Sequence, residues 1–296
     1  MLGLAGHPQA LDHWPWMKVV RDVKDGEIRF VTYLSPSIPQ AVFEALADHV
    51  RRAIGYGQVS LRLETRASGP EKGDERLFSA GEADVGFMCA PSFIWLRELR
   101  PQPVELLGVA PVFEDERNLG KPDYFCDVVV RSNRRIRSFA DLRGGSWLYN
   151  DACSLSGYFS LLEKLAESGA DEGFFDTVAC SGSHLNSIEA VLNGEADAAA
   201  IDSNALRIRL REVPDLSDKV RVIETWGPFP IQPVVVRSTV HPELKERLRE
   251  AFLSTENDES TRRALERYGL IRFVAVGGRD YSLDAHKDLA SLLTAL

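Results

Sequence analysis

One octapeptide of this chain is nearly repeated, and the repeat constrains the fold more than any other feature. Gly81-Glu82-Ala83-Asp84-Val85-Gly86-Phe87-Met88 returns as Gly194-Glu195-Ala196-Asp197-Ala198-Ala199-Ala200-Ile201. The copies stand about one domain length apart. Each follows a short segment read as a helix and opens an apolar run read as a strand. Each then meets polar or turn residues, Pro91-Ser92 in one case and Asp202-Ser203 in the other. The repeat predicts two α/β lobes of similar topology. A shared helix-stop turn within one large sheet, with glycine just past the helix, also accounts for it.

The periodicity around the repeat supports the α/β reading. Residues 27–34 alternate as a strand, and 40–54 carry Val42, Leu46, Val50 and Ile54 on one helical stripe. Residues 59–64 read as a strand, a short helix ends at Gly81, and 83–89 read as a third strand. After Lys121-Pro122 the pattern resumes. Strands are predicted at 124–131, 146–150, 178–181 and 196–201, with a helical turn at 138–145. Helices are predicted at 156–168 and 186–193, the latter with Asn186 and Glu189 spaced as a capping box. A strand at 234–237 and helices at 242–254 and 259–268 follow. Strands alternating with helices predict mostly parallel, helix-covered sheets. Residues 1–26 show no period and read as an N-terminal arm.

Composition removes several function classes. The 296 residues carry a net charge of −9 with no basic block, which speaks against nucleic acid as partner. The most apolar stretch, 85–96, is too short to span a membrane and contains a proline. Four cysteines at 89, 126, 153 and 180 are scattered, which predicts separate, mostly buried thiols and no metal site. The N-terminus does not read as a signal peptide. The compartment is therefore cytoplasmic if the sequence is complete and open if a leader precedes it. No nucleophile elbow, zinc motif, phosphate loop or dinucleotide fingerprint is present. No catalytic residue, cofactor or metal is assigned.

In open α/β sheets, ligands bind beyond the carboxyl ends of the strands. Polar residues at predicted strand ends are therefore the candidates. Asn150 to Tyr158 is the strongest: a strand ends, Ser154 and Ser156 flank one residue, and a helix starts. The unpaired N–H groups of a helix start, with its dipole and two hydroxyls, suit an oxyanion. Gly157 leaves room for a ligand to approach the backbone. Either serine is equally read as a plain helix cap. Ser183 and His184 stand at a second strand-to-helix junction, where the histidine can donate to an anion and become more basic beside one. Asp202 follows an apolar strand directly; it can bind a cation or hydroxyl, or cap the next helix. Tyr33, Ser35, Ser92 and Phe93 stand after earlier strands, and Trp226 stands at a proline-rich crossing; Tyr33, Phe93 and Trp226, taken singly, read as packing residues rather than contacts, and only their positions make them candidates.

At these residues the chain resembles the phosphonate/phosphate-type substrate-binding proteins of ABC importers. The resemblance runs from about residue 28 to 275 and is carried by 81–93, Ser154-Leu155-Ser156-Gly157-Tyr158 and 181–202. It implies a two-lobed type II periplasmic-binding-protein fold with the ligand cleft between the lobes. It implies non-catalytic binding of a phosphonate-, phosphite- or phosphate-like oxyanion, held by Ser154, Ser156 and His184. An ABC permease is the implied partner, and a periplasmic or extracytoplasmic site the implied location. Leu155 stands where the family has threonine, and Leu185 where it has an acidic residue. Both predict a pocket that favours an apolar tail over an ammonium. The expected lobes are 27–113 with 225–296, and 118–222, with crossings near Lys121-Pro122 and Trp226-Gly227-Pro228 as the hinge. The same fold also carries enzymes of thiamine- and menaquinone-precursor synthesis, and a cytosolic ligand sensor is a third reading.

Overall fold

The structure, a computed structural model, describes residues 26–55, 57–170 and 173–281. Apart from Gly26, the N-terminal arm lies outside the described residues. The chain begins with β1 (Glu27–Thr32), α1 (Gln40–Ile54), β2 (Gln58–Leu63), α2 (Arg76–Ser79) and β3 (Val85–Phe87). It continues with α3 (Ala90–Glu98), β4 (Val104–Leu106) and β5 (Val109–Phe113). Beyond the first crossing come β6 (Asp123–Arg131), β7 (Ser146–Tyr149), a π-helical turn (Leu155–Phe159) continued by α4 (Ser160–Glu167), and β8 (Thr177–Cys180). Next are α5 (His184–Asn193), β9 (Ala198–Asp202), α6 (Ser203–Glu212), α7 (Leu216–Lys219) and β10 (Val220–Pro230). β11 (Val234–Arg237), α8 (Pro242–Leu253), α9 (Glu259–Glu266) and β12 (Leu270–Ala275) complete the described fold.

Among the described residues these strands form two five-stranded sheets, β2-β1-β3-β11-β4 and β8-β7-β9-β6-β10, and a ribbon of β5 with β12. The two sheets share one plan. Three strands run parallel, then one strand fresh from the other lobe lies antiparallel, then a last strand runs with the first three. Four of five strands in each sheet thus point the same way, as the sequence predicts. The repeated octapeptide occupies equivalent places: each copy leads into the third strand of its sheet.

Its aspartate explains why it recurs. Asp84 donates its N–H to the Arg29 carbonyl, at 2.8 Å, and accepts the Arg29 N–H on Oδ2, at 2.9 Å. Asp197 brackets Ser146 in the same way, at 3.2 and 3.0 Å. Arg29 lies in β1 and Ser146 opens β7, the middle one of the three parallel strands in each sheet. An arginine from the antiparallel strand or just past it, Arg237 or Arg134, pairs with each carboxylate. Gly81 and Gly194 have φ of 68° and 77°, so the helix-stop reading is also met.

Aromatic groups fill both cores. Phe30, Phe43, Phe87, Phe252 and Phe273 cluster between the first sheet and its helices. Phe139, Trp147, Phe174, Phe175 and Trp226 cluster in the second. Two expectations need correction. β10 stays paired with β6 through Pro230, so the chain leaves the second sheet at residues 231–233 and not at 226. The Ile231 N–H donates to the Pro122 carbonyl at 3.0 Å, which sets the two crossings side by side. The cap of α5 is Ser183, whose hydroxyl accepts the Asn186 N–H at 3.1 Å; the box at Asn186 does not form.

Candidate functional site

The carboxyl ends of β1, β7, β8 and β9 converge on a cavity of about 30 Å³. Tyr33 and Ser35 enter from the first lobe, and Asn150, Ser154, Ser156, Ser183, His184 and Asp202 from the second. Thus eight of the sequence-predicted residues line one space. A larger groove beside Arg134 and Arg143 lies at the start of β7, the end of the sheet away from these loops. The cavity has room for about two waters.

Three helix starts point here, and each is capped by a predicted residue. Ser154 Oγ accepts the Gly157 N–H at 3.0 Å. Ser183 Oγ caps α5, as described. Asp202 Oδ1 accepts the N–H groups of Asn204 and Ala205, at 2.7 and 3.2 Å, while Oδ2 accepts from Gln232 Nε2 at 2.5 Å. Capping fixes each helix end and its positive dipole against the cavity. Ser156 keeps a freer hydroxyl, 3.4 Å from His184 Nε2.

Electrostatics are set by burial. Burial pushes His184 down to about 4, the Ala200 carbonyl acting in the opposite direction, so the imidazole is neutral at pH 7. Burial pushes Asp202 up to about 6 against its three hydrogen bonds. Asp151 is raised by burial, although it takes the Ser68 hydroxyl at 2.5 Å and the Cys153 N–H at 2.8 Å. The expected gain of basicity at His184 is thus absent from the free protein; only an anion beside it supplies the opposite charge that raises its pKa.

A family model for the phosphonate periplasmic substrate-binding proteins of ABC transporters matches residues 28–281. The chain belongs to this phosphonate-binding family. The binding-protein component of an ABC phosphonate transporter from Pseudomonas aeruginosa is similar at a TM-score of 0.74 and 18% identity, over 90% of this chain and 86% of that one. PhnD1 from Prochlorococcus marinus, solved with methylphosphonate, gives 0.72 and 14%, over 92% and 99%. The aliphatic sulphonate binding protein SsuA from Escherichia coli gives 0.57 and 15%, over 91% and 87%. Likeness at these identities establishes the type II periplasmic-binding-protein fold.

Within this phosphonate-family fold, several predicted residues stand outside the cavity. Ser92 is buried in α3, where a Cβ on Gly69 would meet its Oγ at 2.2 Å. Phe93 packs on Tyr281. Tyr158 packs on Tyr149. Trp226 stacks on Trp147 in the second core, its Nε1 donating to Glu224. Leu155 and Leu185 pack into cores and do not line the cavity, so they say nothing about the ligand's tail. Sequence reading missed Ser68, Cys89 and Gln232, which do line it, and gave no role to Asp151 within the 150–158 segment, which lines it too. Each stands in a loop, a crossing or next to a strand end, and that position was the available signal.

Gly157 serves a different purpose from the one predicted. A Cβ there would meet Asn150 Oδ1 at 1.7 Å, so the space is already filled by protein. Asn150 Nδ2 in turn donates to Ser68 Oγ across the cleft at 3.0 Å and to Asp151 Oδ2 at 2.7 Å. Gly157→Ala should displace this amide and cost about 1–3 kcal/mol, the usual price of overpacking. Urea denaturation checks it; an unchanged midpoint would show that the loop yields freely.

Proposed function

We propose that the protein binds a small oxyanion with a phosphonate-, phosphite- or phosphate-like head between its lobes, releases it unchanged, and delivers it to an ABC permease. The observation that carries this reading is the convergence of Ser156, His184 and the capped helix starts on one cavity. Helix N–H dipoles and neutral O–H and N–H donors hold an oxyanion without a lysine or arginine. Among the described residues the lobes are 27–113 with 231–281, and 118–230; the paired crossings at 122 and 231 form the hinge on which they part. Membership of a periplasmic family supports an extracytoplasmic setting, and no helix among the described residues is long and apolar enough to cross a membrane.

A thermal-shift screen against phosphate, phosphite, alkylphosphonates and sulfonates tests the reading. A ligand at a hundred times its Kd should add about 2.7 kcal/mol. Mass spectrometry of the bound ligand should return it unaltered. No response across the oxyanion panel, or conversion of the ligand, would overturn the proposal.

A further inference from the structure

The inner cavity has a sulfur in its wall. Cys89 stands at the N-cap of α3, is 3% exposed, and lines the cavity. Its Sγ reaches from the first lobe to the second and accepts the Leu155 N–H at 3.2 Å. Leu155 opens the helix start that carries Ser156, directly after the Ser154 cap. We propose that Cys89 competes with the oxyanion for this N–H, and so sets how tightly the site binds its ligand. The inference rests on the reading of the cavity as an oxyanion site.

The chemistry of the sulfur makes it a competitor that a ligand can displace. Burial, opposed by the N–H groups of Leu155 and Ala90 and reinforced by Asp151 and Asp202, pushes the thiol up to about 12. The sulfur is therefore uncharged at neutral pH, and a neutral sulfur is a weak acceptor. An N–H bound to an ionised oxygen makes a stronger bond than one between neutral groups. The oxyanion thus takes the N–H, but gains only the difference between the two bonds.

The two neighbouring N–H groups differ in a way that fits this role. The Gly157 N–H keeps its Ser154 Oγ acceptor within one lobe. The Leu155 N–H has its acceptor only while the lobes are together. Cys89 therefore satisfies a helix start in the shut cleft that would otherwise call for a ligand.

A second group marks the same spot. Tyr124 is 1% exposed, and its hydroxyl has no hydrogen-bond partner among the described residues. Its pKa is raised by burial first and then by Cys89 and Asp202, which places the hydroxyl near the sulfur. A buried donor left unpaired, next to an N–H held by a weak acceptor, calls for oxygen atoms that the protein does not itself supply.

The test uses whichever of phosphate, phosphite and methylphosphonate binds best. Calorimetry compares the wild type with Cys89→Ala, which removes the sulfur from the Leu155 N–H. The variant should bind at least fivefold more tightly. In the wild type, the Leu155 amide proton should move downfield when the ligand binds, as sulfur gives way to a charged oxygen; this reading needs no variant. Equal or weaker binding by folded Cys89→Ala overturns the proposal, because the thiol is then inert or assists the ligand. Tighter binding with an unmoved Leu155 amide also overturns it, since the gain then comes from extra room. Failure of all three anions to bind either protein overturns the oxyanion site itself.

Discussion

Ser156→Asp is expected to abolish oxyanion binding while leaving the protein folded. The serine is 1% exposed and stands at the head of a helix, with its hydroxyl 3.4 Å from His184 Nε2. An aspartate there is compatible with the helix dipole, and it sits where the proposed ligand would bring its own negative charge. It also gives His184 the counter-ion that it lacks. The variant should therefore behave as though the site were already filled. We expect a loss of more than 100-fold, about 2.7 kcal/mol, measured by calorimetry with the best ligand of the thermal screen. Ser156→Ala is the milder companion. It removes one hydrogen bond to a charged ligand, worth about 1.5–3 kcal/mol, or roughly 10- to 150-fold. The His184 titration should move upward in the aspartate variant and stay in place in the alanine variant. Aspartate and wild-type affinities within threefold of each other would remove the oxyanion from this helix start.

The repeated octapeptide shows what made the lobes legible. Its aspartate ties the third strand of each sheet to the second, so one local requirement left the same letters twice. Helix α3 was not legible for the opposite reason. From Ala90 to Leu96 every residue is buried, so no polar stripe marks a helical period; only Pro91 near the start carried a signal. β10 was hidden by Gly227-Pro228, where the strand keeps its pairing through a register shift between Trp226 and Phe229. At the site, position relative to a strand's carboxyl end was readable and direction was not. Ser154 and Ser183 were found because a cap and a ligand contact call for the same residue types at the same place. Ser92 and Trp226 have suitable chemistry at such places, but packing turns both away from the cavity. Ser68 and Gln232 come from loops, where no period exists to be read.

Two buried groups in the cavity should conceal one another's effect on stability. His184 is pushed down to about 4 and Asp202 up to about 6, from ordinary values of 6.5 and 3.8. For the histidine, the unfolded chain holds a proton between pH 4 and 6.5 that the native state excludes. Its burial is thus free above about pH 6.5 and increasingly costly as pH falls to 4. For the aspartate, the native state keeps a proton that the unfolded chain loses as pH rises from about 4 to 6. Its burial is free at the acid end and fully costly above about pH 6. Each shift is worth about 3 kcal/mol over its window, with opposite sign, so the wild type should show little net slope from this pair. Asp202→Asn keeps a helix-capping oxygen, and the Gln232 amide can turn to meet its NH₂. Relative to wild type it should gain about 3 kcal/mol as pH rises from 4 to 6.5. His184→Gln should lose about as much relative to wild type over the same interval. Urea denaturation at half-unit pH steps reads both differences; curves parallel to the wild type would show that neither group is perturbed. The same histidine then links pH to binding. An oxyanion that raises its pKa from about 4 must bring in a proton, so heats of binding at pH 5 to 6 should vary with the ionisation enthalpy of the buffer. That dependence should weaken in His184→Gln, with what remains coming from Asp202 in the same cavity and from the ligand's own ionisation.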